Sequence, residues 1–139
     1  MTLRLPRTMV DELAEKARAQ APLEACGLLA GKGEQVFRFY PMTNTDQSAE
    51  HYSMDPGEQF AAMKDMRTHG WEIVGIWHSH PATPPRMSEE DQKLAFMPGV
   101  SYVILSLAEG HHEQIRSFRK AQDGSFPEET VVLQDEVIK

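Results

Sequence analysis

The spacing of apolar positions changes period several times along this chain, and each change marks an element. Thr2–Leu5 alternates and predicts a short strand. Pro6 then opens a helix to about Gln20, with Val10, Leu13, Ala14 and Ala17 on one face. Strands follow near Ala25–Ala30, a small-residue and apolar run ending in a glycine turn, and near Gln35–Tyr40. Met42–Ser53 has no period and reads as an irregular crossing loop. Pro56 starts a second helix, whose Phe60, Met63 and Arg67 side gives way to a loop at Gly70; Met54, Met63 and Met66 read as core filling. Ile73–Trp77 is an apolar, β-branched run of the kind found in buried strands, followed by a Pro-rich loop and a short helix from Glu89 to about Phe96. Ser101–Leu107 and Glu113–Lys120 predict a strand pair around the Ala108–His112 turn, and Val131–Leu133 an edge strand or tail. Strands mixed with helices, without linker or repeat, predict an α/β fold: a single domain over residues 1–139 with a mixed sheet flanked by helices.

The chemistry concentrates after the Ile73–Trp77 strand, in His78-Ser79-His80-Pro81 with Ser88 and Asp91 beyond. Strand side chains alternate, so His78 and His80 should leave the strand end on the same face. Asp91 need only fold back across Pro81-Ala82-Thr83-Pro84-Pro85 to complete a His-His-Asp set. Two imidazoles, a carboxylate and an open fourth position suit a catalytic zinc. Each part has a plainer reading. A lone His-x-His is more often packing than a ligand pair, and Ser88-Glu89-Glu90-Asp91 would serve as a helix start. The two readings of Ser88 and Asp91 are compatible, since a helix start can position both residues.

Hydrolysis at such a site needs a base, and Glu24 is the candidate. It heads Ala25-Cys26-Gly27-Leu28-Leu29-Ala30-Gly31, and a carboxylate at the mouth of a core strand is either exposed at the edge or functional. Cys26 reads as a small buried apolar residue, not a nucleophile.

Glu24 ahead of Cys-Gly-Leu-Leu-Ala-Gly, then Val-Gly-Ile-Trp-His-Ser-His-Pro, then Ser-x-x-Asp resembles the signature of the JAMM (MPN+) metalloprotease family. Asn44, Tyr52 and Asp55-Pro56-Gly57-Glu58 resemble the segment that precedes the metal strand in small prokaryotic members, so the likeness runs roughly from Leu3 to Phe118. It implies the family's MPN fold, of cytidine-deaminase-like architecture. It implies one zinc per chain, held by His78, His80 and Asp91. Glu24 would be the general base that activates water at the metal, and Ser88 the residue that helps stabilise the oxyanion. It also implies a substrate. The small bacterial relatives cut after the C-terminal Gly-Gly of ubiquitin-like sulfur-carrier proteins, whereas this chain is too short for the insertions by which eukaryotic deubiquitinases choose a ubiquitin linkage. The carrier's tail is expected to enter extended, to pair with a sheet edge beside the site, and to pass Trp77 and the Ala82–Met87 loop; Arg86 and Met87 are candidate contacts, although they read more readily as solvated loop residues.

Composition narrows the alternatives. The formal charge is −7 and no basic run occurs, which argues against nucleic acid or an anionic membrane as partner. One cysteine fits a reducing cytoplasm, and no stretch has the length or apolarity of a signal core or membrane span. The H-E-x-x-H motif of zincins is absent, and a single cysteine excludes the Pro-Cys-x-x-Cys of zinc deaminases. His51, His69, His111 and His112 read as surface or loop residues. Oligomeric state is open. The competing function is a non-catalytic, metal-stabilised binding module for a ubiquitin-like protein; Glu24 separates the two, since such a module has no use for a base beside an open metal position.

Overall fold

The computed structural model describes residues 1–108 and 114–137. Its elements run β1 (Thr2–Pro6), α1 (Arg7–Gln20), β2 (Cys26–Lys32), β3 (Gln35–Met42), α2 (Pro56–Thr68), β4 (Glu72–His80), α3 (Glu89–Leu94), β5 (Ser101–Ser106), β6 (Gln114–Phe118) and β7 (Glu128–Gln134). The mixed sheet expected from the pattern is present and closes on itself, in the order β1-β3-β2-β4-β5-β6-β7. Closure comes from the Val131–Leu133 run. It is neither edge nor tail: Val131 pairs with Leu3 and Leu133 with Leu5 in a parallel ladder, while Glu129 pairs with Ser117 of β6.

Alternation along the strands sorts the core onto two faces. On one, Leu29, Phe39, Trp77 and Val103 pack with the α1 stripe of Met9, Leu13, Ala14 and Ala17. On the other, Leu28, Ala30 and Met42 pack under α2 through Ala62 and Met66. The α2 face that packs is therefore not the Phe60, Met63 and Arg67 side. Phe60 and Met63 are exposed; of the three methionines expected to fill core, Met66 does so, Met54 packs half-buried against the same cluster, and Met63 does not. Asp55 caps α2, its Oδ2 accepting from the Glu58 N–H at 2.9 Å, and Pro56 stands where a missing N–H costs nothing.

β4 positions the site. It runs antiparallel to β2, with Cys26 opposite His78, and parallel to β5, with His80 opposite Ser106. The register with β2 shifts between Leu29 and Ala30, and Val74 is the extra residue on β4. Past that bulge, Ile76, His78 and His80 share the α2 face, while Trp77 and Ser79 point to the α1 face. Gly27 lets β2 lie against β3, because a Cβ there would meet the Phe39 ring at 2.4 Å and the Tyr40 carbonyl at 2.6 Å. Residues 109–113, which hold His111, His112, the rest of the expected turn after Ala108 and the expected first strand residue Glu113, lie outside the described residues. No helix among the described residues is long and apolar enough to cross a membrane.

Candidate metal centre

The two histidines sit within β4 instead of beyond its end, because β5 extends the ladder as far as His80. Being two residues apart on one face, they bring their Nε2 atoms within 3.1 Å of each other. Asp91 reaches both: Oδ1 lies 3.2 Å from His78 Nε2 and Oδ2 3.0 Å from His80 Nε2. Asp91 is placed by its helix. Ser88 is the N-cap of α3, its Oγ accepting from the Asp91 N–H at 3.0 Å, while the Ser88 N–H donates to Asp91 Oδ2 at 3.0 Å. The helix start and the acidic ligand set are thus one structure, as the sequence allowed.

Glu24 comes from the other side. Leaving α1, the chain crosses Pro22 and enters β2 at Cys26, and the Glu24 carboxylate lands beside the triad. One ligand atom each from Glu24, His78, His80 and Asp91 lies within 4.8 Å of the others, and all four residues are buried. Glu24 Oε1 has no hydrogen-bond partner. Its backbone is held by the long crossing loop: the Glu24 N–H donates to the Ser48 carbonyl at 2.8 Å, and Asn44 Nδ2 donates to the Glu24 carbonyl at 3.0 Å.

The donor set fits a tetrahedral cation. Ligand bonds of ~2.0–2.2 Å to zinc put neighbouring ligand atoms ~3.3–3.5 Å apart, close to the separations seen here. His80 Nδ1 lies 2.8 Å from the Pro84 carbonyl and donates there, so a cation taking the place of the proton that Nε2 shares with Asp91 would meet the Nε2 lone pair. Electrostatics agrees. Burial raises the Glu24 pKa to about 8, with the Asp91 carboxylate adding to the rise and His80 opposing it. Burial pushes His78 below the ordinary imidazole value, only partly offset by Asp91. Burial would push Asp91 up, but hydrogen bonds from His78 and His80 outweigh it and hold the carboxyl below its usual range. Two carboxylates and two imidazoles packed out of water are a costly arrangement unless a cation sits among them.

Other expectations fare differently. Trp77 does not flank the site; it is fully buried on the α1 face, edge-on to Phe39. β4 has neighbours on both sides, so a tail finds no free edge on the strand that carries the histidines. Met87 is partly buried against Val100 and Tyr102, and Arg86 is exposed. Cys26 is buried, and burial pushes its thiol up to about 12, which removes it as a nucleophile. His51 pairs with Asp46, and His69 stacks on Trp71, both away from the triad. Two contributors entered the sequence analysis only through the family-like segment before the metal strand, with no role attached. Tyr52 stacks on His78, ring centroids 4.8 Å apart, and Asn44 knits the crossing loop to Glu24. The signals in the sequence were the resemblance of that segment and an asparagine and a tyrosine in an otherwise polar, aperiodic loop.

The sequence matches the Prok-JAB family, described as prokaryotic homologs of the JAB domain, over residues 6–130. It is 38% identical over 125 residues to the CysO-cysteine peptidase of Mycobacterium tuberculosis, covering 88% of this chain and 85% of that protein. It is 31% identical over 102 residues to the desampylase of Haloferax volcanii, covering 71% and 73%. The solution structure of a Desulfitobacterium hafniense protein superposes with a TM-score of 0.88 at 48% identity, over 99% of this chain and 95% of that one.

Proposed function

Since the chain belongs to the prokaryotic JAB-domain family, we propose that it is a zinc metallopeptidase cutting after the C-terminal Gly-Gly of a ubiquitin-like sulfur-carrier protein. The observation that carries the reading is Glu24. A buried carboxylate whose Oε1 has no partner, set against a His-His-Asp cluster, is a destabilising feature that only chemistry explains. A binding module would gain nothing from it. Names of relatives such as CysO-cysteine peptidase and desampylase support the substrate class. The absence of a basic run and the single cysteine fit a cytoplasmic protein substrate.

His78, His80 and Asp91 would hold the metal. Zinc in that position supplies a Lewis acid and brings the pKa of water down towards about 7. Glu24 is placed to take the proton of the attacking water and give it to the leaving amine; its pKa of about 8 belongs to the cation-free site, and a cation held beside it would lower that value and leave the carboxylate ionised. Ser88 spends only a lone pair on its cap, so its hydroxyl proton is free to donate to the oxygen that becomes negative. Loss of one such donor typically costs ~100–1000-fold in rate. His80 keeps its ring in place through the Pro84 carbonyl.

The test is intact-mass spectrometry. Small carrier proteins with residues beyond Gly-Gly are incubated with the enzyme, with and without a chelator. A chelator-sensitive loss of mass ending at Gly-Gly is expected. Zinc-loaded protein that leaves every carrier intact would overturn the substrate assignment.

A further inference from the structure

The two histidines are held in different ways. His80 has the usual support for a metal-binding imidazole, an acceptor for its second nitrogen, in the Pro84 carbonyl 2.8 Å from Nδ1. His78 has none. Its Nδ1 is buried and without a hydrogen-bond partner, and the residue is only 1% exposed. If Nε2 faces the metal, Nδ1 carries the proton and is an unsatisfied buried donor, so no hydrogen bond fixes the turn of that ring about χ2. The ring is nonetheless covered on one face. Tyr52 lies over it, centroids 4.8 Å apart and planes 25° from parallel.

Tyr52 in turn is clamped. Asn44 is buried and makes four hydrogen bonds through its amide. Nδ2 donates to the carbonyls of Glu24 and His51, at 3.0 and 3.1 Å. Oδ1 accepts from the backbone of Asp46 and Ser53, at 3.1 and 3.2 Å. The residues before and after Tyr52 are therefore tied to one side chain, which also holds the backbone of the base. A bridge from Asn44 to Met54 and a bond from the Thr45 N–H to the Ser53 carbonyl close the loop.

We propose that Tyr52 is the positioning residue of His78: it fixes the imidazole by stacking where the hydrogen-bond acceptor that normally orients a metal-binding histidine is missing, and Asn44 holds the stack in place. This rests on the reading of His78 as a metal ligand. A stacked ring restricts rotation of the imidazole plane, which the short His78 to Asp91 contact alone does not, because Asp91 touches only Nε2. Losing the supporting partner of a ligating histidine typically costs 10–100-fold in metal affinity. The ring, not the hydroxyl, does this.

The experiment measures zinc affinity of metal-stripped protein by competition with a chromophoric chelator, with no substrate present. Tyr52→Leu is expected to weaken zinc binding by about 10–100-fold, and Tyr52→Phe, which keeps the ring, to stay near the wild-type value. Tyr52→Leu at wild-type affinity, or Tyr52→Phe as weak as Tyr52→Leu, overturns the proposal. Should Tyr52→Leu fail to fold, Tyr52→Met is read against the same criteria. His78→Ala is measured alongside. Undiminished zinc binding by His78→Ala sinks the metal-site reading itself, whereas loss in His78→Ala with none in Tyr52→Leu sinks only the stacking role.

Discussion

Ser79 and Ala25 are joined twice: the Ala25 N–H donates to Ser79 Oγ at 2.8 Å, and the Ser79 N–H donates to the Ala25 carbonyl at 3.0 Å. Ser79 lies between the two histidines and Ala25 follows Glu24, so this pair sets the base against the ligands. The β2–β4 ladder ends at Cys26 and His78, and the serine side chain carries the pairing one step further. Ser79 is fully buried on the α1 face. Ser79→Ala leaves the Ala25 N–H without a partner, at a cost of about 1–3 kcal/mol. The melting temperature should fall by several degrees. Turnover should fall more than zinc affinity does, because Glu24 is displaced while His78, His80 and Asp91 stay together. Equal losses in both would show that Ser79 supports the ligands instead of the base.

Glu24 makes the metal-free protein sensitive to pH in the direction opposite to His78 and Asp91, and in the same direction as His80, whose pKa is also raised. Its folded pKa, about 8, stands above the ordinary value of 4.5. Between those two values the unfolded chain gives up the proton and the folded chain keeps it, so the Glu24 contribution to stability is full below about pH 4.5 and is lost as pH rises through about 8. His78 and Asp91, whose pKa values are lowered, act the other way. Comparison with Glu24→Gln isolates the base. In chelator, the variant should melt above wild type at pH 8, with the gap closing towards pH 4.5. A gap independent of pH would show that Glu24 is not held protonated in the empty site. With zinc, the same variant should keep the metal and lose ~100–10,000-fold in turnover.

Most elements were legible because local rules and tertiary packing agree in them. The α1 stripe, the Pro56 start of α2 and the capping box at Ser88 each follow from spacing or cap chemistry, and the His-x-His face follows from strand alternation. What could not be read is what depends on pairing. Val131–Leu133 looks like a tail until β1 is known to lie beside it. Trp77 is the exception: the alternation that puts His78 and His80 on one face puts Trp77 on the other, so its place was legible and was misjudged, whereas the bulge at Val74 breaks the alternation of β4 in its N-terminal half. The exposed side of α2 shows the same limit, since Phe60 and Met63 are as apolar as the Ala62 and Met66 that are buried.

An apolar groove leads away from His78. It is lined by Ile76, one strand repeat before His78 on the same face, and by Tyr52, Met54, Leu94, Phe96 and Tyr102, around a cavity of about 260 Å³. Tyr102 ties down the segment after α3, its hydroxyl donating to the Met97 carbonyl at 2.8 Å and accepting from the Met97 N–H at 2.9 Å. Phe96 is 80% exposed, so its loss should leave folding unchanged. If the tail of the carrier lies in this groove, Phe96→Ala should raise KM by roughly 10-fold or more, the worth of one well-covered aromatic side chain. Zinc content and kcat should hold. An unchanged KM would place the tail elsewhere.

Asn44 offers a sharper test, because one amide serves the base and the stacked tyrosine together. Asn44→Ala removes all four hydrogen bonds and leaves the Glu24 and His51 carbonyls and two loop N–H groups to find other partners. The cost should be about 2–4 kcal/mol, since the position is buried but the loop is partly open to water. Asn44→Asp is the informative partner. It keeps an oxygen for the Asp46 and Ser53 N–H groups, but it sets a second carboxylate oxygen against the carbonyls of Glu24 and His51, where a donor stood. The aspartate should therefore rescue neither stability nor turnover, and should do worse above its pKa than below it. Thermal melts and kcat/KM for both variants from pH 4 to 8 give the answer. An aspartate variant as stable and active as wild type would mean that only the acceptor half of Asn44 matters, and that Glu24 is held by Ser48 alone.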